Sequence, residues 1–385
     1  MELRKHNDLS FLDKEIKSGK RKLPTPSEMV VVNGTQPQLD IRSIDCSNMD
    51  LSGYDKERIA FDEKTVFPID ERKMPLDFNP SEIMERQKNP GLGVRNLHKK
   101  GFTGKGLSVA IIDQLLSTHQ EYNDNLVSYK EFGYDDELSK YLKGSMHGSA
   151  VSSVLVGKTC GVAPDAKLYY YAANSRNKTN ELTSINYAKA LNDILDLNAQ
   201  LPEDEKIQAV SISWGAMSGI EGKEEWLKAF ERSKQENLAV ITTDLRRTVG
   251  LRFVGLGRKN NGEPDDVASY TEGYWNIGPD EKSFAVPMDN RTLACPQSDR
   301  GYVHYYGGGM SWATPFYVGL FLLAKQADRN ITLEEFHRKA LQTGVYKEGL
   351  GVIVQPEKMI EVIQHARPTP QAVTTLIKNR NAKQR

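Results

Sequence analysis

Cysteine is scarce in this chain of 385 residues: Cys46, Cys160 and Cys295 are odd in number and far apart. They exclude a fully paired disulfide framework, and neither a CxxC pair nor His and Cys at zinc-finger spacing is present. Reduced, partly buried thiols in a cytoplasmic protein are therefore expected. Net charge is missing too, with 51 basic residues against 51 acidic ones scattered along the chain, so no nucleic-acid footprint is present. There is no apolar run long enough to span a bilayer. The opening MELRKHNDLSFLDKEIKSGKRK is charged throughout and lacks the apolar core of a secretion signal. These absences exclude nucleic-acid and membrane partners from the expectation. A hydrophobic content of 38% with 26% charged residues suits a globular chain with one large core or two moderate ones.

What the chain does have is GGGMSWATPFYVGLFLL, residues 307–323. Glycine permits positive φ and close backbone approach, and Pro315 suits the first turn of a helix, where its missing N–H costs nothing. Ser311 is thus placed at the mouth of a helix. Val318, Leu320, Phe321, Leu322 and Leu323 leave no polar face, the pattern of a helix buried all round. A hydroxyl among the free N–H groups of a helix start suits a nucleophile whose attack creates an oxyanion. A glycine loop with a serine N-cap reads the same way, so partners elsewhere must decide.

Residues 1–88 are turn-rich, with a short β-like run at 29–32 and no helix bearing a clean apolar stripe. They read as a surface-wrapping extension or a prosegment. Regularity starts near Asn89. LSVAII, residues 107–112, reads as a strand buried on both faces of a parallel sheet and ends in Asp113. The carboxyl ends of such strands carry the chemistry. Gly101, Gly104 and Gly106 come before this strand, which excludes a phosphate loop. A polar connection at 129–143 leads to His147, which opens a helical segment with Val151, Val154 and Leu155 in register; residues 166–173 read as the next strand.

Tyr187, Ala190, Leu191, Ile194 and Leu195 predict a covering helix, and strands at 209–213 and 238–242 flank a helix at 224–235. The alternation predicts an α/β fold, a central parallel sheet with helices on both faces. Residues 244–306 show little periodicity beyond a strand at 284–287 and read as binding loops. The pairs Asp135 with Asp136 and Asp265 with Asp266 read as solvated loops, not metal ligands. Thr332 and Glu335 form a capping box before a helix at 333–343, residues 351–354 read as a strand, and Pro356 opens a helix to about His365. Residues 367–385 make a basic, mobile tail.

Asp113, His147 and Ser311 occur in the chain order of subtilisin. GFTGKGLSVAIID resembles the subtilisin-family segment that leads to its catalytic Asp, HGSAVSSVLVG and GVAPDAKLYYY resemble the His motif and the strand after it, VSISWG is similar to a wall of the family's cleft, and GMSWATP matches its Ser motif. The likeness covers about residues 90–365 and is to a divergent, intracellular, bacterial-type member of the subtilisin-like serine peptidases (S8 type). It implies a three-layer fold with an N-terminal extension or prosegment at 1–88, a peptidase domain at 89–366 and a flexible tail at 367–385. It also implies serine endopeptidase activity on peptide or protein substrates, with Asp113, His147 and Ser311 as triad, Ser213, Trp214 and Gly215 binding extended substrate, and His119 as a second, structural His. Trp214 and Trp312 are expected to narrow the cleft. No cofactor is implied; the family admits calcium, but no ligand set for it can be named.

The chain departs from the family most at the oxyanion donor. Where the family supplies an Asn side chain, this chain reads ITTDLRRT, with Asp244 nearest and Thr242 and Thr243 as other donors. An ionised carboxylate only accepts hydrogen bonds, and losing one oxyanion donor costs about 2.7–4 kcal/mol in the barrier. Gln114 and Leu115, the Gly148–Ala150 stretch and Trp312 also replace usual neighbours of the triad. Two alternatives follow: a subtilisin-fold pseudoprotease that binds peptide or protein partners without turnover, and acyl transfer to an amine instead of water.

Overall fold

The computed structural model describes residues 3–29, 38–215, 220–273 and 278–365. Its centre is a five-stranded parallel sheet in the order Leu126–Phe132, Lys167–Ala173, Ser108–Asp113, Ile207–Ile212 and Ala239–Thr242. The central strand, Ser108–Asp113, is buried at every position. Alternate side chains go to opposite faces, as the two-residue period of a strand requires. Ala110 and Ile112 join one apolar cluster with the helices Ile185–Gln200 and Lys223–Gln235. Val109 and Ile111 join another with the helices Met146–Val156 and Met310–Ala327. A sheet covered on both sides explains why LSVAII is apolar without alternation. The fold is α/β in three layers, as expected.

The helix Met310–Ala327 is buried at every residue from 312 to 324, in keeping with its lack of a polar face. Thr332 accepts a hydrogen bond from Glu335 N at 3.1 Å and caps the helix Leu333–Thr343 as its capping box predicts. All three cysteines are free and buried.

Three segments differ from the sequence expectation. The polar connection at 129–143 begins inside the edge strand Leu126–Phe132, whose one buried residue, Tyr129, leaves no apolar pattern to read. Residues 244–306, expected as loops apart from a strand at 284–287, hold that strand as Ser283–Pro287 and, beyond it, the strands Arg252–Arg258, Tyr270–Glu272, Arg291–Ala294 and Tyr302–Tyr305. Their signal is masked because polar residues such as Arg258, Arg291, Thr292 and His304 are buried among the apolar ones. Residues 1–88, expected to be irregular, contain the helices Ser10–Lys17 and Pro80–Arg86 and the strands Leu39–Asp40 and Ile59–Asp62. Leu12, Ile41, Ile44, Phe61, Phe78 and Ile83 give that segment an apolar cluster of its own. Residues 30–32 of the β-like run and the tail at 367–385 lie outside the described residues.

His304 is fully buried, with Nε2 at 3.0 Å from Asn260 Oδ1 and Nδ1 at 3.3 Å from Thr292 Oγ1. Burial, with the Arg258 charge nearby, pushes its pKa down to about 3. Burial also lowers the pKa of His98, His119 and His337. Between pH 6.5 and about 3 the unfolded chain therefore binds more protons than the folded one, and stability is lost as pH falls through that window. The melting temperature is expected to fall as pH drops from about 6.5 toward about 4, and His304→Gln to flatten the fall. An unchanged slope in that variant would show that His304 is not one of the groups responsible.

Candidate active site

Asp113 ends the central strand with only 3% of its surface exposed. Its Oδ1 accepts hydrogen bonds from Gln114 N at 2.8 Å and His147 Nδ1 at 2.6 Å. His147 is the second residue of the helix Met146–Val156, and its side chain is 23% exposed. Burial disfavours the charged imidazole, but the attraction and hydrogen bond of Asp113 outweigh it and raise the pKa above the ordinary 6.5.

Ser145 sets where the helix starts. Its hydroxyl accepts from His147 N at 2.9 Å, as an N-cap does, and donates to Gln114 Oε1 at 2.6 Å, while its backbone N donates to Leu115 O at 2.7 Å. The loop after Asp113 is thereby laced to the residue two before His147. Ser145 is not singled out in the sequence, although a serine just before a helical run is a capping signal, and Gln114 stands out there only as a departure from the usual neighbours of the triad. Gly148 completes the fit. A Cβ there would stand 2.5 Å from Tyr170 Oη, 2.9 Å from Leu115 O and 3.1 Å from Gln114 O.

Ser311 is the second residue of the helix Met310–Ala327, after Gly309 with φ 64°. It exchanges hydrogen bonds with Ser213: Ser311 Oγ donates to Ser213 O at 3.3 Å, and Ser213 Oγ donates to Ser311 O at 2.6 Å. Ser213 follows the strand next to that of Asp113, with Ile112 and Ile212 in register. Ser311, through Ser213, and Asp113 are thus brought to the same carboxyl edge, Asp113 ending and Ser213 following strands about 4.8 Å apart. The Ser311 hydroxyl points at Ser213 O, and no hydrogen bond joins it to His147.

Gly215 lets the oxyanion region approach: a Cβ there would lie 2.5 Å from Thr243 Oγ1 and 2.9 Å from Asp244 N. Asp244 precedes the short helix Leu245–Val249 without a side-chain capping bond and pairs through Oδ2 with Arg247 Nε at 3.0 Å. Thr242, by contrast, is buried at the end of its strand. Thr243, Asp244, Arg246, Arg252 and Met310 line a cavity of about 690 Å³ beside Ser311.

Trp214 packs against Tyr187 with ring centroids 4.7 Å apart. Trp312 corrects the expectation of a second cleft-narrowing tryptophan. It is 2% exposed and packs edge-on against Tyr305, beside Gly308, where a Cβ would come within 1.9 Å of its ring. Burial this complete keeps the indole out of the cleft. His119 is fully buried, with Nε2 at 2.8 Å from Gly301 O and Nδ1 accepting from Glu121 N at 3.1 Å.

Asp136 accepts from Ser139 N at 2.7 Å, and Asp265 from Gly93 N at 2.8 Å and Asn89 Nδ2 at 3.0 Å, so both acidic pairs serve backbone turns. Among the described residues no three His, Cys, Asp or Glu side chains gather as a cation would need. No helix among them is long and apolar enough to cross a membrane.

Because Gly148 abuts Tyr170 Oη and two carbonyls, Gly148→Ala is expected to push the start of its helix outward. Reactivity of Ser311 toward a fluorophosphonate, read by intact mass, should drop by about ten- to a hundredfold, with the chain still folded. Unchanged reactivity would show that this contact does not place His147.

Comparison with known proteins follows from this geometry. The family model described as Peptidase_S8, the subtilase family, matches residues 104–249, which include Asp113, His147 and Asp244 but stop short of Ser311. The minor extracellular protease Epr of Bacillus subtilis (strain 168) is 25% identical over 283 residues, 67% of this chain and 38% of that protein. The chain thus spans well under half the length of that relative. Among solved structures, the A-subunit of the AB5 toxin from E. coli has a TM-score of 0.52 at 16% identity, over 71% of this chain and 98% of that one. The subtilase cytotoxin SubAB has a TM-score of 0.51 at 17% identity, over 74% and 94% of the two chains. At such identities the structural likeness is one of fold. Residues 104–249 match the subtilase family model, and the fold across most of the chain is similar to that of these two structures.

Proposed function

We propose that this chain is a serine endopeptidase that hydrolyses peptide bonds through Asp113, His147 and Ser311. The observation that carries the reading is the 2.6 Å hydrogen bond from His147 Nδ1 to the buried Asp113, which leaves Nε2 free to act as base. In the reaction Ser311 Oγ releases Ser213 O, turns toward Nε2 and attacks a substrate carbonyl as its proton passes to His147. Asp113 orients the ring and stabilises its charged form. Ser311 N lies in the first turn of its helix, where N–H groups lack intrahelical acceptors, and donates to the oxyanion. His147 then protonates the leaving amine, and water hydrolyses the acyl-enzyme.

Ser213, Trp214 and Gly215 pair with extended substrate as an added strand. The Thr243 hydroxyl, packed by Gly215, supplies the second oxyanion donor, since Asp244 only accepts and is held by Arg247. Peptides or proteins are the partners, and the mechanism asks for no cofactor. The three buried, unpaired thiols support a cytoplasmic setting. The division into extension, peptidase domain and tail at residues 88 and 366 is part of this proposal.

A binding protein without turnover is the competing reading, favoured by the Ser311 hydroxyl turned to Ser213 O and by an acidic residue in the oxyanion region. Fluorophosphonate labelling separates the two. One adduct is expected on the wild type and none on Ser311→Ala; a folded wild type that takes no adduct would support the binding reading.

Two further outcomes follow. Asp244→Asn adds a side-chain donor and is expected to raise the labelling rate by about a hundredfold; a lower rate would place Asp244 outside the oxyanion site. Neutral His147 is the active form and Asp113 raises its pKa, so the rate should climb with pH through a midpoint above 6.5. A midpoint below that value would mean that the pair does not control the rate.

A further inference from the structure

A separable prosegment docks on a surface that is complete without it. The segment before residue 90 fails that description at two places. The first is the strand Ile59–Asp62, which pairs antiparallel with Tyr302–Tyr305 and lays Phe61 against His304 at 5.2 Å between ring centroids. Around it, Asn260 N donates to Glu57 Oε2 at 2.6 Å and Asn260 Nδ2 to Lys56 O at 2.7 Å. The Arg258 guanidinium, 1% exposed, donates to Asn89 O at 2.9 Å and Gln87 O at 3.2 Å. Withdrawing this segment would open His304, Asn260 and Arg258 to water and strip hydrogen-bond partners from Asn260 and Arg258, the costly way to lose a buried polar contact.

The second place touches the active site. Residues 4–6 run beside the loop that follows Asp113. Arg4 N donates to Leu116 O at 2.9 Å, Arg4 and Ser117 form a parallel bridge, and His6 Nε2 lies 2.9 Å from Thr118 O. On its other side the same stretch meets the loop before His147, with Gly144 N donating to Lys5 O at 3.0 Å. The Arg4 side chain, 15% exposed, donates through Nε to Glu131 Oε1 at 2.7 Å and through Nη1 to Ser139 O at 2.7 Å. Glu131 Oε1 also accepts from Tyr129 Oη at 2.8 Å, and that oxygen faces Leu116 N at 3.5 Å. The loop after Asp113 and the loop before His147 are thus tied to one short stretch, residues 4–6.

We propose that the segment before residue 90 is a retained part of the working protein, and that its residues 4–6 clamp the loops of Asp113 and His147 in register, with Arg4 as a positioning residue. The clamp matters to rate only if the peptidase reading above holds, but retention and register can be read without turnover.

The test uses the full chain and its Arg4→Ala and Arg4→Lys variants. The fluorophosphonate adduct of the wild type is expected on a species that keeps residues 1–88; an adduct found on a species that has lost them, with labelling equal or faster, overturns retention. Arg4→Ala is expected to lower kcat and the labelling rate by about ten- to a hundredfold at unchanged KM, and to weaken or shift the downfield proton resonance of the His147–Asp113 hydrogen bond. Arg4→Lys, which keeps the charge beside Glu131, is expected to recover part of both. A lower melting temperature alone, with labelling and resonance unmoved, overturns the clamp.

If the wild type takes no adduct the peptidase reading fails by itself. The clamp then stands or falls on the resonance, and retention on whether residues 1–19 stay bound in gel filtration after a specific cut at the exposed turn around Gly19. Release of that piece overturns retention.

Discussion

A carboxylate buried at the end of a central strand must be compensated, and the site is built around the compensation of Asp113. With 3% of its surface exposed, Asp113 has little water to solvate its charge. Gln114 N and His147 Nδ1 share Oδ1 in place of that solvent. The bond to His147 is also what orients the imidazole, so the same contact that makes the buried charge tolerable prepares a base. Other features serve to keep that contact short. Ser145 starts the helix at the right residue, Gly148 allows it to close on Tyr170, and the loops after Asp113 and before His147 are fastened to the stretch at residues 4–6.

The serine side is built on different physics. Its helix is buried from Trp312 to Ala324, and its first residues face the sheet edge. Gly308 and Gly309 allow that approach, one by giving room to the Trp312 ring and the other by taking a positive φ. The exchange between Ser213 and Ser311 then locks helix to strand. That lock holds the hydroxyl away from His147 in the state described here, a rotation away from the geometry that attack requires. Asp244, paired with Arg247, makes the cavity beside Ser311 more acidic and less rich in donors than an amide side chain would.

Legibility tracked how local the determining interactions are. The strand at 107–112, the helix stripe from Tyr187 to Leu195, the capping box at Thr332 and the buried serine helix all rest on neighbours within a few residues, and each was read correctly within a residue or two. Between 244 and 306 the strand Ser283–Pro287 is legible, but the others are not, because they bury Arg258, Arg291 and His304 and their polarity disguises their depth. The same holds for residues 39–62, where two short strands gain stability only by joining Tyr302–Tyr305, some 240 residues away along the chain. Trp312 was misplaced for a related reason: which face of a helix meets the cleft depends on Tyr305 and Gly308, not on its own neighbours.

By itself the sequence determined the α/β class, the order and placement of Asp113, His147 and Ser311 at element ends, and the absence of a standard oxyanion amide, since all of these follow from residue type and local period. Only the tertiary structure decided that Asp113 and His147 meet at 2.6 Å, that Ser311 is held by Ser213, that Arg247 holds Asp244, and that residues 4–6 fasten the loops after Asp113 and before His147. Those contacts depend on how separate segments are brought together in space, and no local pattern in a single chain encodes the angle and distance at which two distant side chains arrive.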